Sequence, residues 1–134
     1  VAGIYVFQSG QAQILPAGSV ATGQDPRLGP DERYIDKWFN TAAFVVQPSF
    51  TLRTLSVRSD RLQGDAINNL DFSLSKDTSI TERFRLQFRW EMFNAVNRAQ
   101  FGAPNLSPSS GTYGRITNTA NAPRTMQFGL KLVF

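Results

Sequence analysis

The sequence predicts an all-β fold, an antiparallel sheet of about four strands with long connections, and three observations predict it. Apolar residues recur at every second position in three segments of the second half of the chain. The connections between those segments are unequal, one tight and one long and rich in Asn, Gly, Pro and Ser. The longest apolar stretch, Ala42 to Val46, falls far short of the roughly 18 to 20 residues of a membrane-spanning helix.

In chain order, the first element is a strand over residues 3–8, where Ile4 and Val6 alternate with Tyr5 and Phe7. Both of its faces are apolar, so the pattern does not orient it. A long connection, residues 9–65, follows. Pro16, Pro26, Pro30 and Pro48 forbid long regular elements there, yet Tyr34, Ile35, Trp38 and Phe39 cluster at spacings that suit one or two helical turns ending near Phe44. A flexible linker would carry fewer aromatics, so this segment is expected to be an ordered loop with a small aromatic knot. The charged stretch with Arg53, Arg58, Asp60 and Arg61 is read as a solvated loop face, a dedicated anion site being the alternative.

The next strand, residues 67–76, sets Leu70, Phe72 and Leu74 against Asp71, Ser73 and Ser75. A turn from Asp77 to Thr81 is short enough for a hairpin. In the strand at residues 82–94, positions 83–92 alternate without exception, Phe84, Leu86, Phe88, Trp90 and Met92 against Arg83, Arg85, Gln87, Arg89 and Glu91. After the loop at residues 95–123, the strand at 124–134 sets Met126, Phe128, Leu130, Leu132 and Phe134 against Thr125, Gln127, Gly129 and Lys131. Only Val133 breaks the polar side.

Composition removes most catalytic chemistry. The 134 residues are one domain's length at most, and they include no Cys and no His. Thiol nucleophiles, imidazole bases, disulfides and the usual zinc ligands are therefore gone. Asp31, Glu32 and Asp36 lack the spacing of a calcium loop, and no phosphate-binding glycine loop or nucleophile elbow is present. No catalytic residue, metal ligand or cofactor site is assigned, and no enzyme is expected. The net charge of +4 comes from arginines spread over a strand face and loops, with no basic helix, which argues against nucleic acid as a partner. Asn105-Leu-Ser107 fits a glycosylation pattern that is common by chance. The chain starts at Val1 with no leader pattern, as expected of a segment or mature form of a longer protein.

Something apolar has to cover the Phe-, Leu-, Trp- and Met-bearing face. A second sheet would make a soluble sandwich, and lipid would make a transmembrane barrel; alternation alone does not choose. Three features favour lipid. The strands match the roughly 9 to 11 residues that cross a bilayer at a tilt, against about five or six in ordinary sheets. Short turns at one end and long loops at the other are the habit of outer-membrane barrels. The sequence also ends on the apolar face, at Phe134. The fold class expected is thus a fragment of an antiparallel transmembrane β-barrel, an open curved sheet with long extracellular loops, its 134 residues forming part of one barrel domain. The alternative is a soluble extracellular β-sandwich binding a ligand such as a glycan through Trp38 and Phe39.

The segment Arg124-Thr-Met-Gln-Phe-Gly-Leu-Lys-Leu-Val-Phe134 resembles the closing strand of an outer-membrane barrel. More specifically, the chain resembles the C-terminal end of TonB-dependent outer-membrane receptors of the Oar-like type. Lys37-Trp-Phe-Asn-Thr-Ala-Ala-Phe44, Asn69-Leu-Asp-Phe-Ser-Leu-Ser-Lys76, Ile80-Thr-Glu-Arg-Phe-Arg-Leu-Gln-Phe-Arg89, Phe93-Asn-Ala-Val-Asn97, Phe101-Gly-Ala-Pro-Asn105, Tyr113-Gly-Arg-Ile-Thr117 and the closing strand carry the resemblance, in order, over about the last hundred residues. Trp90-Glu-Met92 departs from the pattern, where a small residue or Val is expected before the acid, without disturbing the period.

The resemblance implies a wall segment of a larger transporter of a bulky substrate in the bacterial outer membrane. Implied partners are outer-membrane lipid, the barrel-assembly machinery, the rest of the barrel with its plug, and TonB through an N-terminal part outside this chain. Lipid would meet Phe84, Leu86, Phe88, Trp90, Phe128, Leu130 and Leu132, while Arg83, Arg85, Arg89, Glu91 and Lys131 would face the lumen. That basic row could pair with a plug or bias passage toward anions, or be solvated with local partners such as Glu91. Trp90, Met92 and Phe93 could join an aromatic girdle, ordinary lipid-facing packing being the alternative for Trp90. Met126, Phe128, Leu130, Leu132 and Phe134 would form the assembly signal.

Overall fold

A computed structural model describes all residues, Val1 to Phe134. Eight strands occur in chain order: β1 (Ala2–Gln8), β2 (Ala12–Ile14), β3 (Ser19–Ala21), β4 (Phe44–Val46), β5 (Arg58–Gln63), β6 (Ile67–Ser79), β7 (Arg85–Phe93) and β8 (Thr125–Val133). They fall into two compact units.

The first unit comprises residues 1–8, 67–99 and 121–134 and is an open antiparallel sheet in the order β1-β6-β7-β8. Its register shows why alternation makes a two-faced sheet. Phe72 lies opposite Met92 and Leu74 opposite Trp90, while Trp90 faces Phe128, Phe88 faces Leu130 and Leu86 faces Leu132. Residues directly opposite in a ladder share a face, so the apolar sets of three strands fall together. The register also orients β1, whose pattern could not. Gly3 pairs with Phe72 and Tyr5 with Leu70, which puts Tyr5 and Phe7 on the Phe-rich face and Ile4 and Val6, opposite Asp71 and Asn69, on the polar one.

The hairpin sits further along the chain than the Asp77–Thr81 turn expected. β6 runs to Ser79, with Asp77 opposite Gln87 and Thr78 opposite Leu86. Lys76 to Ser79 interrupt the apolar period but not the backbone ladder, which polar residues satisfy equally well. The turn is Ile80 to Phe84, closed by the Ile80 and Thr81 amides on the Phe84 carbonyl at 2.9 and 3.2 Å. The Thr81 hydroxyl accepts from the Phe84 amide at 3.1 Å. Phe84, expected in the strand, therefore belongs to the turn and is exposed. At the opposite end of the sheet both long connections depart, one after Gln8 and one after Phe93.

The second unit, residues 9–66 and 100–120, gathers those two connections into one folded body. Two small antiparallel sheets, β2 with β5 and β3 with β4, frame it. No helical turn covers Tyr34 to Phe39, where a bridge joins Tyr34 and Lys37 instead; short 3-10 turns lie on either side, at Pro30–Glu32 and Thr41–Ala43. The aromatic knot is real but its membership differs. Trp38 and Phe39 are buried, Phe39 to 1% exposure, whereas Tyr34 and Ile35 are exposed. Leu15, Ala43, Phe44, Leu62 and Ile116 complete the core, with Phe101 and Tyr113 packed against it. Edge-on aromatic contacts tie it together: Phe101 on Trp38 at 6.1 Å, and Phe44 and Tyr113 on Phe39 at 6.2 and 5.4 Å.

Candidate functional site

The four-stranded sheet presents its apolar face uncovered. Phe128 and Leu130 are 69% and 71% exposed, and Met126, Leu132 and Phe88 are exposed as well. Within this unit the four strands form a single layer with nothing packed over that face. An uncovered apolar patch of this extent marks an interaction surface. Its outline is also informative. On β7 the apolar residues of this face run from Leu86 to Met92, but on β6 they run from Leu70 to Leu74, and Lys76 stands opposite Phe88. The apolar band therefore crosses the ladder obliquely, in step between β8 and β7 and displaced by about three residues between β7 and β6.

Within that face, Trp90 stacks on Phe128 with ring centroids 6.0 Å apart and planes 5° from parallel, and meets Phe72 edge-on at 5.8 Å. The indole Nε1 of Trp90 is buried without a hydrogen-bond partner.

The opposite face carries the residues assigned to the lumen. Arg85, Arg89, Glu91 and Lys131 share it, with Gln87 opposite Lys131 and Glu91 opposite Gln127. Arg83 does not; it lies in the hairpin turn, because the ladder opens after Ser79 and Arg85 pair. Of the cations Arg89 has an acidic partner, its Nε 3.8 Å from Glu91; the carboxylates are also engaged by amides, Gln127 donating to Glu91 and Gln87 to Asp77 at 2.9 Å.

Where β7 ends, the Phe93–Asn97 motif folds into a clamp. Asn94 and Asn97 both adopt positive φ, a conformation Asn tolerates better than most residues. Asn94, 6% exposed, donates to the carbonyls of Arg98 and Ala122 at 3.1 and 3.2 Å and accepts from the Arg98 amide at 3.1 Å. The Asn94 amide donates to Asp71 at 2.9 Å, and the Asn97 carbonyl oxygen of the side chain accepts from the Arg124 amide at 3.2 Å. One short motif thereby fixes the exit of β7 and the entry to β8.

In the second unit the motifs at 37–44 and 113–117 dock on each other. The Trp38 amide donates to the Gly114 carbonyl at 2.8 Å and the Ile116 amide to the Ile35 carbonyl at 2.7 Å. Gly114 has φ of +83°, and a Cβ there would meet the Thr41 methyl, so both conformation and space call for glycine. The Tyr113 hydroxyl donates to the Phe44 carbonyl at 3.2 Å, and burial pushes its pKa up to about 12. Of the three carboxylates weighed in the loop, Asp36 pairs with Arg115 and Glu32 accepts from the Gly29 amide at 3.4 Å. Arg53 donates to the carbonyls of Leu15, Leu55 and Ser56 at 3.0 to 3.2 Å, which makes it a loop staple rather than a free cation.

A cleft of about 180 Å³ opens in this unit between Pro26–Arg33 and Arg61–Gln63, and it brings together Arg27, Arg33 and Arg61. The Arg33 guanidinium lies 3.7 Å over the Trp38 ring. Burial lowers the pKa of Arg33, nearby Asp65 offsetting this only in part, and the group stays cationic. Alternation and motif spacing do not reveal this cluster, since its members lie far apart in sequence. The one signal was the arginine content of the loop.

No helix is long and apolar enough to cross a membrane, a statement that does not bear on strands. A family model described as outer membrane beta barrel domain matches residues 1–127. No curated protein and no solved structure matches the chain.

Proposed function

The chain belongs to the outer membrane beta barrel domain family, a wall element of the bacterial outer membrane, and on that premise we propose that it is a segment of a TonB-dependent receptor that moves a bulky substrate. The observation that carries the wall role is the oblique, uncovered apolar band: lipid covers Leu86, Phe88, Trp90, Phe128, Leu130 and Leu132. At the hairpin side Lys76 falls off the band, where its stem lies along the apolar surface and its ammonium reaches the interface. Trp90, one residue from the middle of β7 and packed on Phe128 and Phe72, then lies within the apolar depth of the band.

Four strands do not close a barrel, since about eight are the minimum. The transport activity belongs to the complete wall and its plug. Arg85, Arg89, Glu91 and Lys131 line the lumen, with Arg89 paired to Glu91. The role is structural rather than catalytic. The two loops, folded as one body, form part of the cell-surface side.

TonB coupling is supported by the ordered motifs from Lys37 to Tyr113 and beyond, and it is tested with the full-length protein. Capture by the periplasmic domain of the energy-transducing partner, lost when the N-terminal contact peptide is deleted, is the expected result. No capture in either case would overturn the coupling while leaving family membership untouched.

A further inference from the structure

The arginine cleft has no part in a wall, and its geometry points to a ligand. We propose that Arg27, Arg33 and Arg61 bind a phosphate group. Arg33 is preorganised: its guanidinium is held 3.7 Å over Trp38, whose Nε1 is itself tied to the Gln63 carbonyl at 2.9 Å. A second contact runs from Arg33 Nη2 to the Gly64 carbonyl at 3.4 Å. A fork already fixed in place loses little conformational freedom when it meets an anion. Arg61 is held only by a long, exposed contact with Asp25 at 3.4 Å, the kind of surface pair that contributes little and yields to a better anion. Asp25 also accepts from the Arg27 amide at 3.0 Å, which places Arg27 at the same rim.

Phosphate fits this cluster better than a carboxylate does. A carboxylate satisfies one guanidinium fork, whereas a phosphate offers three acceptor oxygens and about −1.5 to −2 charge to three forks. Three arginines against Asp25 and Asp65 leave the cleft positive. A volume of about 180 Å³ is smaller than the roughly 300 to 1,000 Å³ of pockets that enclose whole drug-sized ligands, and suits a head group. That head group belongs to a phosphorylated glycolipid or to a soluble phosphorylated solute; the chemistry read by the arginines is the same. The inference stands independently of TonB coupling.

Titration calorimetry on the full-length protein in nanodiscs tests it, with inorganic phosphate, a soluble sugar phosphate and a phosphorylated glycolipid beside its dephosphorylated form. Millimolar or tighter binding of the phosphorylated compounds is expected, weakening as salt rises. The Arg27→Gln/Arg61→Gln pair should lose about a hundredfold, about tenfold for each charged contact removed. Arg33→Lys, which keeps the charge without the fork, should lose about tenfold. Arg58→Gln, outside the cleft, should change nothing. Retained exchange protection of the Trp38 indole N–H shows that each variant is folded there. Tighter binding of the glycolipid or of the soluble solute identifies the source, and either supports the proposal. Equal affinity of the double variant and the parent, acetate binding as tightly as phosphate, or no phosphate compound binding at millimolar concentration would overturn it.

Discussion

Leu130→Arg in the full-length protein separates lipid from any other covering of the sheet. β7 has nine residues, which at about 3.4 Å each span about 30 Å along the strand and about 23 Å across a membrane at a tilt near 40°, close to the roughly 25 Å apolar band of such barrels. Leu130 lies opposite Phe88, one residue from the middle of β7, so an arginine there sits near the bilayer midplane. The expected cost is about 2 to 4 kcal/mol, a factor of about thirty to a thousand in the folding equilibrium. Leu130 is 71% exposed, so little packing within this segment is lost along with the leucine and the cost reports the environment. Gln87→Arg is the control. On the polar face it gains Asp77, beside the present amide, and meets Lys131 across the ladder; these offset each other and the change stays within about 0.5 kcal/mol. Reversible urea unfolding of the protein in lipid vesicles, followed by tryptophan fluorescence, reads both. If the two arginines were tolerated equally, the reasoning from exposure and register to lipid would be wrong.

Other substitutions probe the parts that position the wall and the loops. Asn94→Ala removes three side-chain hydrogen bonds at a buried position with positive φ and should destabilise by about 1 to 3 kcal/mol by the same unfolding assay. Gly114→Ala should strip exchange protection from the Trp38 amide, since that N–H bonds to the Gly114 carbonyl and the new Cβ meets Thr41; unchanged protection would contradict the docking of the two motifs. Asp36→Asn, though it breaks an ion pair with Arg115, should cost no more than about 1 kcal/mol because both side chains are largely exposed. Tyr113, raised from 10.0 to about 12 by burial, binds its proton more tightly folded than unfolded. Its contribution is fully present below pH 10 and is lost as pH rises toward about 12; thermal melts across that window should fall for the parent and flatten for Tyr113→Phe.

Period two made the sheet legible: where Phe, Leu, Trp or Met alternated with Arg, Gln or Ser, a strand formed, save at Arg83 and Phe84 in the hairpin turn, and the shared face followed. Its limits were equally physical. Lys76 to Ser79 continue β6 because a ladder is made by backbone amides, which a search for apolar residues does not see. β1 carries apolar residues on both sides, and only pairing with Asp71 and Leu70 shows which side is which. In the loops, Trp38 and Phe39 announced a core, but their partners Leu15, Leu62 and Ile116 come from segments far away in the chain and are brought in by β2, β5 and the Gly114 contact. The strands β2 to β5 are three to six residues long and lack room for a period. The arginine cleft was hidden for the same reason, since Arg27 and Arg61 become neighbours only through Asp25.

Accessibility scanning with spin labels tests the two-sided sheet most directly. The chain has no cysteine, so single cysteines placed from Arg85 to Met92 and from Met126 to Leu132 carry labels at known positions. In vesicles, Leu86, Phe88, Trp90, Phe128, Leu130 and Leu132 should relax strongly with oxygen dissolved in the bilayer, and Arg85, Gln87, Arg89, Gln127, Gly129 and Lys131 with a water-soluble nickel complex. The two profiles should alternate residue by residue, out of phase, along both strands. Profiles in phase with each other, or with oxygen favouring the arginine side, would contradict a wall whose aromatic face meets lipid.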